Sequence, residues 1–512
     1  MMRHQSDMEV AHLWLPPELL LLVMKQVQHG EQYSASRKSL LNATLVNREW
    51  AEAATHILWE KGASVSALAS VSADRRQYYA NKISELDFEG EEDAKHHATF
   101  KDLIFPRLKS VFVDKVDLEE GEKLHLNQYL QPQLRSIDCG GGGLDDNALV
   151  TMAANCPRLE ELWLEEPIEG SSEHQLLELF RGCKLLELVN LGDGWADVVT
   201  AELFAGLASL ESLRQMSIRP LTEDLAIRKG VSMASFRNLE SLTMTVASVS
   251  VARVASVVTS LSSLILIIED SDNDALAPLG SLKDLVHLEL TFLDDTELSP
   301  QGFRALENLR RLEILMMESR GAPLSAMWMN DKLFNEFTSK LPKLRNLELK
   351  VDFDITAMAL TSLAKTHPKM NSIDFFGEFE FSEWSRITKP LYPSLIRFVI
   401  EAPFIEGRTR RYVTIIYFCV HIQVMLKSSR SADATVEERA SQIADLIIRH
   451  CPVVKQLSFY SYYENLLAQL VIRAFEAKVP GRYHEPLSTW FRDREDSARV
   501  PFQPSETRMY HG

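Results

Sequence analysis

Apolar residues recur along this chain in a six-residue frame, apolar-x-x-apolar-x-apolar, whose last two positions alternate as a half-buried strand requires. Fourteen segments carry it, with first apolar positions at Ile83, Leu108, Leu134, Leu159, Leu186, Leu213, Leu239, Leu261, Leu285, Leu309, Leu344, Met370, Leu395 and Val454. Eleven of the thirteen successive intervals lie between 22 and 27 residues, a regularity that accidental hexamers have no reason to keep. The interval of 59 after Leu395 leaves room for one more repeat, with Tyr412–Leu426 as its strand. Between the strands the pattern changes to amphipathic helices. Asp145-Asp146 open one, Leu149, Met152 and Ala153 line its inner face, and Cys156-Pro157 stop it. Asp354–Lys365 and Thr435–Arg449 repeat that layout, and Glu464–Lys478 reads as a last, capping helix.

One strand–helix unit cannot bury its apolar face alone, so the units must stack into a continuous core. The expected fold is α/β, with parallel strands on a concave side and helices on a convex side, over residues 83–479. The run Asn155-Cys156-Pro157-x-Leu159-x-x-Leu162-x-Leu164 resembles the cysteine-containing leucine-rich repeat. The array departs from that family by lacking the asparagine usually placed three residues past the last anchor; Gly142, Pro167, Leu293 and Asp352 stand there.

The N-terminus has a different period. Pro16 and Pro17 suit a first helical turn, Leu19, Leu20, Val23 and Val27 follow it, and Gly30 stops it. Gln28–Lys38 reads as a polar loop. A second segment carries Leu40, Leu41, Leu45, Val46 and Trp50, and a third carries Ala53, Ala54, Ile57, Leu58 and Trp59. Leu19–Leu22 is more leucine than one helix face can bury, which leaves some of it for a partner. The wording Leu15-Pro16-Pro17-Glu18-Leu19-Leu20, then Leu45-Val46-Asn47-Arg48-Glu49-Trp50, then Leu58-Trp59 resembles an F-box, closest to fungal examples. That resemblance implies a three-helix module over 12–60 that docks the adaptor subunit of an SCF (Skp, cullin, F-box) ubiquitin ligase and, through it, the cullin. It implies adaptor contacts from Leu15, Pro16, Leu19, Leu20, Val23, Leu41, Val46 and Trp50, with Leu45 and Trp59 in the internal core. Residues 61–82 would be a packed connector and 480–512 a partly disordered tail.

The sequence has 55 basic and 72 acidic residues, a net charge of −17, which argues against phosphate-neutralising nucleic-acid binding. Five cysteines without a C-x-x-C pair fit a reducing compartment, cytoplasm or nucleus, and no zinc motif. Tyr412–Leu426 is apolar but short of the roughly 20 residues a membrane span needs. Gly140–Gly143 lacks the Lys-Ser/Thr of a phosphate loop, and Asp270–Asp274 lacks the Gly and Glu of a calcium loop. His96-His97 reads as solvated loop. No cofactor, metal or enzyme signature stands.

Residues flanking the two inward anchors of each strand point to the concave face. Of 42 such positions, twelve are acidic and four are basic, where whole-chain usage gives six and four to five. Like charges side by side destabilise a sheet, so the excess suggests a face for a protein substrate with a basic segment. The candidate residues are Asp138, Trp163, Glu165, Glu289, Glu313, Glu348 and Asp374, with Phe112 as a further apolar anchor. The expected function is a substrate-recognition subunit of an SCF-type ligase; the alternative is a repeat scaffold that binds a partner without promoting ubiquitination.

Overall fold

The structure, a computed structural model, describes residues 15–30, 33–61, 63–114, 126–140, 147–166, 172–195, 198–218, 236–258, 260–270, 274–294, 296–320, 324–404, 436–459 and 466–480. The chain divides into two compact units, Met1–Val198 and Val199–Gly512.

The first unit opens with three helices, α1 (Pro17–Gly30), α2 (Tyr33–Ala43) and α3 (Arg48–Glu60). The side chain of Asn47 caps α3 by accepting from the Trp50 amide at 2.9 Å. Leu20, Met24, Leu40, Ala43, Ala53, Ala54 and Ile57 form the core of this module, with Leu21, Val27, Trp50 and Leu58 packed at its edge. The expected Gln28–Lys38 loop is largely helical: Gln28 belongs to α1, and α2 begins at Tyr33. Ala35, Arg37 and Lys38 are adequate helix formers, and with Ser36 and Leu40 turned inward the segment gains a buried side.

Residues 61–82 are more than a connector. Ala63–Ser64 (β1) pairs in parallel with Glu85–Phe88 (β2), Ala63 opposite Leu86, and is followed by α4 (Val65–Ser70) and α5 (Ala73–Ala80). This is an additional strand–helix unit, with Ala63 in register with Leu86. The helical module is fastened to it through α3. Trp59 packs on Tyr79 with ring centroids 4.5 Å apart, and the Glu52 carboxylate accepts from Tyr78 Oη and the buried Lys82 Nζ. Burial opposes ionisation of Glu52, but these two bonds outweigh it and hold its carboxyl below the usual range; burial and Glu52 together push Tyr78 up to about 12.

From β2 the sheet continues in parallel through β3 (Ser110–Val113), β4 (Ser136–Cys139), β5 (Glu161–Leu164) and β6 (Leu188–Leu191). The register keeps anchor beside anchor, Leu86 to Val111 to Ile137 to Leu162 to Val189. Helices Ala148–Asn155 and Glu173–Gly182 carry the opposing apolar faces, and Gly182 lets them stack closely. A Cβ at Gly182 would lie 2.4 Å from the Ala153 carbonyl oxygen, so no side chain fits there.

In the second unit β7 (Gln215–Ile218), β8 (Ser241–Val246), β9 (Ser263–Ile268), β10 (His287–Phe292) and β11 (Ile314–Ser319) are parallel neighbours in order. Between β11 and β13 (Asn346–Leu349) the chain forms β12 (Leu324–Asn330), which pairs with β14 (Val351–Asp354) in a separate two-stranded sheet. The main sheet resumes with β15 (Ser372–Glu380), β16 (Arg397–Phe404) and β17 (Gln456–Phe459), before the last described helix, Leu466–Lys478.

Two expectations are corrected by these registers. Leu288 pairs with Leu315 and Leu290 with Met317, so the repeat near residue 310 is anchored by Leu312, Leu315 and Met317, three residues later than the frame at Leu309. Met316, opposite Glu289, therefore takes the place between the anchors that Glu313 was expected to take, and Glu318, opposite Thr291, follows the last anchor on the outer face. Secondly, β16 pairs directly with β17, Arg397 opposite Gln456, so among the described residues no further strand stands between them in the sheet. Tyr412–Leu426 falls outside the described residues, as does 481–512; removing residues 405–435 from the interval of 59 leaves 28, near the ordinary period.

Candidate functional site

Two surfaces stand out. On the helical module Leu15, Leu19, Leu22, Val23, Leu41, Leu45 and Val46 are all exposed. Leu15, Leu19 and Val23 recur every fourth residue and Leu19, Leu22 and Val23 follow i, i+3, i+4, so they form a stripe along the outside of α1. The Pro16 carbonyl accepts from the Leu19 and Leu20 amides at 2.9 and 3.1 Å, which starts the helix. At the end of α2 a turn, with Leu45 N donating to Asn42 O at 3.0 Å and Val46 N to Ala43 O at 3.2 Å, lifts Leu45 and Val46 into solvent.

Of the eight residues expected to meet an adaptor, Leu15, Pro16, Leu19, Val23, Leu41 and Val46 are therefore outward. Leu20 is not: it is 2% exposed and belongs to the module's own core, turned about 100° around α1 from Leu19 and away from Leu22. Trp50 is half-buried against that core. Leu45, expected inside, is 83% exposed. The run of four leucines was the available signal for Leu22; nothing in the sequence distinguished Leu45 from Leu40.

The second surface is the sheet face that alternates with the buried anchors. In the first unit its middle row is Asp87, Phe112, Asp138, Trp163 and Asn190, adjacent and in register across β2 to β6. All five are half-buried. Over these five strands, seven of the fifteen face positions are acidic (Glu85, Asp87, Glu89, Asp114, Asp138, Glu161 and Glu165) and none is basic. Lys61 reaches Glu85 from the edge at 2.6 Å, and Ser136 Oγ donates to Glu161 at 2.9 Å. Asp138 is pushed up to about 6, first by burial and then by Glu165, Asp114 and Glu161; Asp87 is raised by burial, Glu85 and Glu89.

In the second unit Glu318, Glu348 and Asp374 on the same face are met by bases. Lys350 Nζ lies 2.6 Å from Glu318, and Arg397 lies 2.8 Å from Glu348 and 2.9 Å from Asp374. Ser372 Oγ also donates to Glu348 at 2.9 Å. Glu289 is raised by burial first, then by Glu318 and Glu348, against a lowering by Lys350. Asp374, expected on an open face, is 0% exposed, and its neighbours Val399 and Ser458 in the same row are buried too. The expected substrate residues thus fall in three places: Asp138, Trp163 and Glu165 on the first unit's face, Glu289, Glu348 and Asp374 within the second unit's ion-paired row, and Glu313 off the face beside Arg345 at 3.7 Å.

No family model and no curated protein matches this sequence. Among solved structures it is similar to a chain of the crystal structure of the Rad7 and Elc1 complex in yeast, with 15% identity over 70% of this chain and 91% of that one and a TM-score of 0.38. A TDR receptor structure gives 12% identity over 65% of this chain and 54% of that one, with a TM-score of 0.30. The TLR13–ssRNA13 complex gives 12% over 75% and 58%, with a TM-score of 0.36. The chain spans a little over half the length of the last two. The construction seen here, one short parallel strand per repeat with apolar-x-x-apolar-x-apolar anchors buried beneath it, is similar to that of leucine-rich-repeat proteins.

Reactive groups are scarce. Among the described residues no three His, Cys, Asp or Glu side chains are grouped to hold a metal ion, and no helix is long and apolar enough to cross a membrane. Cys139, Cys156, Cys183 and Cys451 are buried, and burial pushes the Cys156 and Cys183 thiols up to about 12 and 11. His97, expected in a solvated loop, is buried, stacked on Phe88 at 4.1 Å with Nδ1 3.2 Å from Tyr129 Oη. Of the calcium-like stretch, Asp270 accepts from the Ser248 amide at 2.8 Å and Asp274 from Ser299 Oγ at 3.3 Å; both serve helix starts.

Proposed function

We propose that this chain is a substrate-recognition subunit of an SCF-type ubiquitin ligase, working in cytoplasm or nucleus. Its helical module docks the adaptor, and its repeats hold a protein to be modified. The observation that carries this reading is the set of seven exposed apolar side chains on α1, on α2 and at their ends. The module's core is complete without those side chains, and exposed leucines at such density are characteristic of a surface that a partner covers. Their sequence context is the F-box wording. Catalysis belongs to other subunits; this chain contributes proximity, raising the effective concentration of substrate lysines near the transferring enzyme.

The test is affinity purification of the full-length chain from cells, wild type against Leu19→Asp/Leu41→Asp. Co-recovery of adaptor and cullin with the wild type only is the expected result. Recovery of neither by the wild type contradicts the ligase reading and leaves a repeat scaffold.

A further inference from the structure

The two units carry the same kind of sheet face with different electrostatics. In the second unit Lys350 and Arg397 sit among Glu318, Glu348 and Asp374, and part of the row is closed off from solvent. In the first unit the middle row alternates carboxylate and aromatic: Asp87, Phe112, Asp138, Trp163. Adjacent strands are about 4.8 Å apart, so the two carboxylates stand roughly 10 Å apart with an aromatic ring between them. Among the described residues no lysine or arginine pairs with Asp87 or Asp138, and every charged neighbour that shifts either is itself a carboxylate.

We infer that the first unit's face over β2 to β5 is the substrate-holding surface, and that its occupant is an extended peptide segment bearing arginine or lysine. This rests on reading the repeats as a protein-holding array. A cationic side chain laid across the row meets a carboxylate and an aromatic face together, so charge attraction and cation–π contact coincide. Guanidinium suits the site best, because it is planar, weakly hydrated and stacks on indole. The Glu89, Asp114 and Glu165 row beside it extends the negative field and steers association. The second unit's face offers a basic segment much less, because Glu318, Glu348 and Asp374 already have internal bases.

The probe is a phage-displayed library of random twelve-residue peptides, selected on the immobilised full-length chain. Selected sequences are expected to be enriched in arginine and lysine. Their synthetic peptides should bind in fluorescence anisotropy with affinity that falls as salt rises. Asp87→Asn/Asp138→Asn, which keeps side-chain shape, should weaken binding at least tenfold, and Trp163→Ala should do likewise. Glu289→Gln in the second unit should leave it unchanged. Selection without basic enrichment, wild-type affinity in the charge variant, or an equal loss in Glu289→Gln would overturn the assignment. Adaptor binding is measured on the same preparations. If the peptide results hold while the wild type binds no adaptor, the ligase reading falls and this one stands; adaptor binding without the peptide pattern gives the reverse.

Discussion

In the strand repeats the second and third apolar positions of every frame, from Leu86 and Phe88 to Leu457 and Phe459, are 3% exposed or less. In the helical module, a comparable run of leucine and valine between residues 15 and 46 leaves seven side chains in solvent around a core that closes without them. The same residue types thus do different work. In the repeats, stacking gives each unit a neighbour on either side, so every anchor finds a cover within the chain. The module has one outer surface, and its apolar excess there is not required by folding. Stability and partner binding should therefore separate cleanly between the two regions.

The largest effect expected is on stability in the repeats. Leu288→Ala in β10, between two paired strands and fully buried, should cost about 2–5 kcal/mol in a denaturant titration. On the module the same measurement should read within about 0.5 kcal/mol of wild type for Leu45→Asp. Adaptor affinity in that variant should fall by about 2–4 kcal/mol if Leu45 is central to the docked surface. A Leu45→Asp variant that unfolds, or that binds adaptor as tightly as wild type, breaks the separation.

Smaller effects sharpen how the two regions are joined. Glu52→Gln weakens the bonds to Tyr78 and Lys82 and should cost about 1 kcal/mol at neutral pH. Because the Glu52 carboxyl is held below its ordinary value, its contribution is present above about pH 4.5 and lost as pH falls through the folded value. The difference between wild type and variant should accordingly shrink in acid, read by thermal melts across pH.

The smallest expected effect concerns Asp138. Its carboxyl is raised to about 6, so its ionisation opposes folding as pH rises from about 4 to 6. Asp138→Asn should melt slightly higher than wild type at pH 7, and the two should converge below about pH 4. A variant that melts lower at pH 7 contradicts the placement of Asp138 beside Glu165, Asp114 and Glu161.

Much of the repeat architecture was legible because a period near 25 survives substitution at any one anchor. What was not legible has local causes. Near residue 310 two frames overlap, Leu309/Leu312/Ile314 and Leu312/Leu315/Met317, and only pairing with β10 decides between them. Ala63-Ser64 carries no large apolar residue, so nothing in the sequence marks this strand, which pairs with β2 in the structure. The charge excess was visible as a count, but its division between the units was not, since Lys350 and Arg397 reveal their partners only across strands. On the module, residue types identified an apolar surface, whereas the facing of Leu20 and Leu45 depends on helix phase and on one turn.

On the proposed reading, the exposed leucines and valines on α1, on α2 and at their ends form a docking surface for an SCF adaptor. Isothermal titration of the purified full-length chain with that adaptor tests it most directly. One-to-one binding with a negative heat-capacity change is expected, as burial of apolar surface requires, abolished by Leu19→Asp/Leu45→Asp while the melting temperature stays at the wild-type value. No heat of binding for the wild type, or undiminished binding by the double variant, would contradict it.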